Sequence, residues 1–467
     1  MTSRELTRAL PPRHQARWLA IALTALLIVA GTRLAPALLP DRAVPSGALL
    51  DGAAVPPAAA GDQAPAAGAI GLVSPDERVA FWEPRVAADP RDYLSALHLA
   101  DAYVDRARAT AGLADLQRAQ AVLGQAAERA PDPILVVPRQ AQVALSLHEF
   151  SQAAALADEV LAGAPDDLTA VAVAGDARLE TGDLAGAHQH YDQLAKLAPS
   201  APVWSRLARL AFLEANPSTA FALVQRAIGD AEANGFGDEA AFYRYQLGEL
   251  YRATGDTAAA EVAYETALDA LPGYPAATIG LAMTREGQGR RAEAIALLEA
   301  ATNRLPTPEA VAALGDLYFL AGDTEAAERA YALVERIGEV ARATGGVYDR
   351  QLVLFAADHD RAVEATISLA ESELELRQDI YAWDALAWAL YKGDRLDEAA
   401  VAANHATALG TPDPRLAYHA GMIAAARGET DIAQRWLTQA LAGAAYLPPL
   451  QVPIAEEALA ALSDRWR

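Results

Sequence analysis

The stretch AFYRYQLGELYRATGDTAAAEVAYETALDALP, residues 241–272, decides the fold. It divides at Gly255-Asp256 into two halves, each with apolar residues three and four positions apart, the spacing of an amphipathic helix. Glycine at 255 suits the left-handed position that ends a first helix, and Asp256 suits the cap that starts a second. Leu247, Gly248 and Tyr251 mark the first half; Ala260, Tyr264 and Ala267 mark the second, and Pro272 closes the unit. Gly248 and Ala260 let the two helices approach closely, and Tyr264 fills the seam to the next unit. A bulky residue at Ala260 would overpack that seam, at a cost of about 1–3 kcal/mol.

The same grammar recurs along the chain. Pro131, Pro165 and Pro199 stand 34 residues apart, and Pro272 and Pro306 keep that step. Val171, Ala174, Gly175, Gly182, Ala187 and Tyr191 form one in-frame unit; Leu314, Gly315, Tyr318, Gly322, Ala327 and Tyr331 form another. Further units carry Leu281, Ala282 and Gly289, then Trp383, Leu386 and Ala387, then Gly421, Gly428 and Ala433. A fixed period of this length marks a stacked repeat protein. The pattern resembles the tetratricopeptide repeat at nearly every signature position, from about residue 90 to 447.

The resemblance implies an all-α fold: an α-solenoid of about ten helix-turn-helix repeats over residues 76–447, with 448–467 as a C-terminal capping helix. Three stretches are irregular. Residues 105–117 and 228–239 exceed the period, which predicts lengthened helices or inserted loops, and 347–379 fits only as a degenerate repeat. Hairpins stacked in this way leave a curved trough rather than a closed pocket.

The N-terminus follows a different rule. Arg4, Arg8, Arg13 and Arg17 stand against Glu5, and WLAIALTALLIVAG (18–31) is uncharged and apolar. A spanning helix needs about 20 residues, a length reached if Ala16, Arg17, Thr32 and Arg33 sit in the headgroup layers. Residues 1–17 then form a basic cytoplasmic tail and 18–34 a transmembrane signal-anchor, with the repeats extracytoplasmic. A cleaved signal peptide, which would release a secreted protein, is the alternative; a cytosolic amphipathic segment is a third. Residues 35–75, rich in Ala and Pro, read as a disordered linker reaching roughly 30–35 Å. The whole-chain charge of −23 splits into +4 over residues 1–42 and −27 over the rest, a surface that repels nucleic acid and anionic headgroups.

Catalytic signatures are missing from the sequence. It has no phosphate-binding glycine loop, no His-Glu-x-x-His and no Gly-x-Ser-x-Gly. Zero cysteines exclude disulfides and thiol chemistry. His188 and His190 lie two apart and read as surface histidines, and Glu371, Glu373 and Glu375 as a solvated face. We therefore expect no enzyme, no cofactor, no metal and no small-molecule substrate.

In tetratricopeptide arrays the first helix of each unit lines the groove. By register, the resemblance places Arg206, Arg209, Phe212, Phe242, Tyr245, Glu249, Arg252, Asp316, Phe319, Trp388, Tyr391, Tyr418 and His419 there. Aromatics and arginine dominate binding hot spots; the alternative is that several of these residues merely pack on adjacent helices. The lysine/asparagine clamp of chaperone adaptors is absent, since Tyr245 and Glu249 stand at its positions. The expectation is a membrane-tethered scaffold whose partners are other proteins or peptides, with no nucleic acid bound. The alternative is an extracytoplasmic assembly factor or chaperone-like helper for secreted or membrane complexes.

Overall fold

A computed structural model describes residues 74–110, 112–344 and 349–464. The expected basic tail (1–17), signal-anchor (18–34) and nearly all of the linker lie outside the described residues. Among those described, no helix is long and apolar enough to cross a membrane.

The described chain is α-helical throughout, without strands. Helix α1 (Pro75–Ala88) is capped by Ser74 in a reciprocal capping box with Glu77, so helix begins just inside the expected linker. Ten antiparallel hairpins follow. The first five pair α2 (Tyr93–Thr110) with α3 (Leu113–Ala127), α4 (Val137–Ser146) with α5 (Phe150–Gly163), α6 (Leu168–Glu180) with α7 (Leu184–Leu197), α8 (Ala201–Leu213) with α9 (Pro217–Ala233), and α10 (Gly237–Ala253) with α11 (Thr257–Ala270). The second five pair α12 (Pro275–Gly287) with α13 (Arg291–Arg304), α14 (Pro308–Leu320) with α15 (Thr324–Thr344), α16 (Asp349–Asp358) with α17 (Val363–Leu376), α18 (Ile380–Lys392) with α19 (Leu396–Ala406), and α20 (Pro414–Ala426) with α21 (Thr430–Ala442). Helix α22 (Gln451–Asp464) packs on α21 and α20. The over-long stretches at 105–117 and 228–239 extend α2 and α9 to 18 and 17 residues.

The turn inside each hairpin follows from its residues. Gly182, Gly255 and Gly322 take φ of +81°, +87° and +84°. Asp183, Asp256 and Asp323 accept hydrogen bonds from the amides of Gly186, Ala259 and Ala326, each at 2.9 Å. Where glycine is absent, His148, Ala215 and Asp394 adopt the same left-handed turn. The α16–α17 turn puts Asp360 and Ala362 at positive φ. That missing glycine is one reason residues 347–379 look degenerate in sequence.

A second rule sets the helix-to-helix distance. Tyr191, Tyr264 and Tyr331 lay their rings on the bare backbones of Gly175, Gly248 and Gly315, where an added Cβ would stand 2.5–2.6 Å from the ring. Each hydroxyl then donates to the acidic residue after that glycine. Tyr191 reaches Asp176 at 2.8 Å, Tyr331 reaches Asp316 at 2.9 Å, and Tyr264 reaches Glu249. Burial, and then the neighbouring carboxylate, push all three phenols well above their ordinary value, so they remain donors.

The open trough expected from hairpin stacking is corrected by the tertiary structure: the ribbon returns on itself. Turns within hairpins two to six meet segments that lie four to six hairpins further along, and helix α3 of the first hairpin meets the end of α15. Thr411 donates to the Leu213 carbonyl, and Gln117 donates to that of Thr344 at 3.0 Å. Gly182 lies against the Gln378 carbonyl, Gly255 against that of Ala442, and Gly287 against Ala445. One hydrophobic core accordingly runs from Val171 to Leu281 and also takes in Ile380, Ala406 and Leu416. Glycines let backbone meet backbone here, and burial of that shared core rewards the closure.

Two glycine turns separate local strain from this seam. Gly322→Ala should cost about 1 kcal/mol, the left-handed backbone alone, because nothing lies within 4 Å of its added methyl. Gly255→Ala should cost clearly more, because its methyl collides with the Ala442 carbonyl. Equal losses in urea denaturation of the two variants would mean that the seam does not form.

Candidate functional site

The residues mapped to an open groove are for the most part buried, and they face one another. Arg206 is 9% exposed and holds Asp176 with two hydrogen bonds of 2.8 Å. Arg209 reaches Glu180 at 2.8 Å and keeps 30% of its side chain exposed. Phe242 packs edge-on to Tyr243, and Phe212 is half-buried beside Ala208 and Ala211. Tyr245 lies against Tyr264 and Tyr274, while Glu249 takes both the Tyr264 hydroxyl and the Arg252 guanidinium.

The later positions behave alike. Asp316 accepts from Tyr331 and pairs with His359 at 2.9 Å. Trp388 donates to Asp358 at 2.7 Å and is sandwiched between Tyr391 and His419. His419 pairs through Nδ1 with Asp384 at 2.9 Å, and Tyr418 is buried beside it. Phe319, 51% exposed, is the mapped aromatic that stays on the surface. The aromatic members are buried by packing on one another, and each acidic member is paired with a cation or phenol. A lone buried carboxylate would otherwise be costly.

Two further expectations are corrected. His188 is half-buried and pairs with Glu214, but His190 is buried, because positions two apart on a helix face different ways. Glu373 is buried as well, whereas Glu371 and Glu375 are not. Among the described residues no three His, Cys, Asp or Glu side chains are grouped to hold a metal ion.

The densest charge cluster, invisible to sequence reasoning, sits on the seam. Glu180 ends α6 fully buried, between Arg209 at 2.8 Å and Arg377 at 3.7 Å. Arg377 also lies within 3.6 Å of Glu373, approaches His148 Nδ1 at 3.1 Å and stacks over Phe150. Arg350 reaches Asp379 at 3.3 Å and Glu373 at 3.8 Å. Burial alone would push the Glu180 carboxyl up, but the guanidinium groups of Arg209, Arg377 and Arg350 outweigh it and hold it below its usual range. Burial, and then Arg377, push His148 down to about 3. A neutral ring is what the geometry requires, since Nδ1 must accept from Arg377.

Two tetratricopeptide-repeat family models match the chain, over residues 139–202 and 251–315. The chain therefore carries tetratricopeptide repeats. No curated protein sequence matches it significantly. Among solved structures it is similar to MamA, at 22% identity over 38% of this chain and 93% of that one, with a TM-score of 0.29. It is also similar to PilW, titled a widely conserved type IV pilus biogenesis factor, at 19% identity over 44% of this chain and 94% of that one, with a TM-score of 0.38. A human IFIT1 dimer with PPP-AAAA gives 14% identity over 79% of this chain and 86% of that one, with a TM-score of 0.44.

Two measurements test the cluster. Glu180→Gln strands buried arginines and should lower stability by about 3–5 kcal/mol; a loss below about 1 kcal/mol would show that the cluster holds nothing together. The pH dependence separates His148. Its folded-state value lies below the ordinary 6.5, so the unfolded chain takes the proton first. Its contribution is complete above pH 6.5 and shrinks as pH falls towards about 3. His359 has the opposite sign, since its hydrogen bond to Asp316 overcomes burial and raises it. The wild-type minus His148→Gln difference in unfolding midpoint should therefore shrink between pH 7 and 5, and a flat difference would contradict the assignment.

Proposed function

We propose that this chain is a non-catalytic scaffold that binds segments of other proteins, held at a membrane by residues 18–34 with its repeats on the extracytoplasmic side. The observation that carries the reading is the run of ten helical hairpins among the described residues, two blocks of which match tetratricopeptide-repeat models. Such repeats present long surfaces to other chains and seldom enclose a reaction. The apolar run of residues 18–31, bounded by Arg17 and by Thr32-Arg33, supports the tether, and the arginine excess before it supports the orientation. The strongly acidic repeat region favours basic or neutral protein partners over nucleic acid.

Because the inner helix faces are largely satisfied by their own neighbours, binding falls to the exposed side chains and to seams that can open. Exposed apolar residues sit on first helices, as Leu94 on α2 and Phe319 on α14, and on second helices, as Val262 on α11, Leu376 on α17 and Val401 on α19. In-membrane crosslinking of the full-length protein, followed by affinity purification, should recover a stoichiometric protein partner. The protein should also resist extraction from membranes at alkaline pH. A preparation that crosslinks to nothing, or that washes off into the soluble fraction, would sink the scaffold or the tether respectively.

A further inference from the structure

The seam between the hairpin of α10 and the C-terminal end of the repeats is built like a peptide seat, and a segment of the same chain occupies it. Residues Gly443–Leu447 leave α21, make one short turn over Ala444–Tyr446 and lead into α22. Gly443 lies beneath the Ala253 carbonyl and against Pro414, where no side chain fits. The Ala445 methyl enters the space over Gly287, where an added Cβ would stand 2.5 Å away. The Ala445 carbonyl accepts from Arg252 at 3.5 Å. The Tyr446 ring lies between two guanidinium groups, Arg252 at 4.6 Å and Arg415 at 4.9 Å. Leu447 is buried behind it.

Two features point beyond ordinary loop packing. Arg252, 8% exposed, leaves its Nε without a hydrogen-bond partner, while its other guanidinium nitrogens reach Glu249 at 3.2 Å and the Ala445 carbonyl at 3.5 Å. The contacts recognise a sequence: two small residues, a main-chain carbonyl between them and the aromatic, and an aromatic ring taken by cations.

We infer that the face formed by Arg252, Gly287 and Arg415 is a binding site for a short segment of the type small-x-small-aromatic, and that Gly443–Leu447 is its intramolecular occupant. The inference rests on the scaffold reading and gives it a partner chemistry and a control. A partner segment of the same type displaces the tethered one and frees α22. Tethering holds the internal segment at an effective concentration of about millimolar, so the closed protein resists weak competitors.

The test uses the full-length protein, with and without Tyr446→Ala, and a fluorescein-labelled peptide AGAAYLP copied from residues 442–448. The variant should bind the peptide at least about tenfold more tightly than the wild type, since its own occupant has lost its anchor. Adding Gly287→Val to that variant, which fills the Ala445 seat without touching a charge, should abolish the gain. A folded Tyr446→Ala protein that binds no better than wild type overturns the site, as does unchanged binding after Gly287→Val. If Tyr446→Ala does not fold, hydrogen exchange on the wild type decides: saturating peptide should accelerate exchange in α22, and no acceleration overturns the proposal. A variant that takes the peptide yet crosslinks to no protein sinks the scaffold reading and keeps the site. Wild type and variant that capture one partner equally while refusing the peptide do the reverse.

Discussion

A tyrosine ring resting on a glycine backbone is the contact on which the rest of this structure depends. At Gly175, Gly248 and Gly315 the missing side chain lets Tyr191, Tyr264 and Tyr331 fill the hairpin, so helix separation is set by a ring thickness. The phenol then needs an acceptor in a buried place, and the next residue, Asp176, Glu249 or Asp316, supplies it. That carboxylate needs more than one hydrogen bond to remain charged away from water, which brings in Arg206, Arg252 or His359. Packing inside one hairpin and pairing with its surroundings are therefore successive demands of one contact.

Closure of the ribbon follows from a separate set of glycines. Gly182 and Gly255 serve their own turns through positive φ, and they also admit the backbone of a distant loop. Gly289, Gly322 and Gly428 have the same φ but open space above them. The seam thus forms where a glycine on one edge admits a carbonyl or a small residue from the other, and the charge cluster around Glu180 and Arg377 joins the same two edges. Closure also changes what the inner helix faces can do. Charges that would line an open groove instead neutralise one another, and a partner must meet the outer helices or replace something at the seam.

Much of the architecture was legible in sequence because it depends on local rules. The Gly-Asp turns, the closing prolines and the apolar spacing each specify backbone within a few residues. Register also picks out residues of real consequence without fixing their neighbours: Arg206, Asp316, Trp388 and His419, at groove positions by register, pair internally. One signal was available and went unused, the acidic residue directly after each ring-bearing glycine, fifteen positions before the tyrosine it accepts from.

The amino-acid sequence alone determined the repeat, the hairpin turns and the helical class, because each is encoded by residues a few positions apart and repeated many times. Only the tertiary structure decided that the coil closes, that Glu180 meets Arg377, and that Tyr446 sits between Arg252 and Arg415. The contacts of Glu180 with Arg377 and of Arg252 with Tyr446 join positions nearly two hundred residues apart. Whether they form depends on small angular offsets added up over several hairpins, a sum that no single stretch of the chain contains.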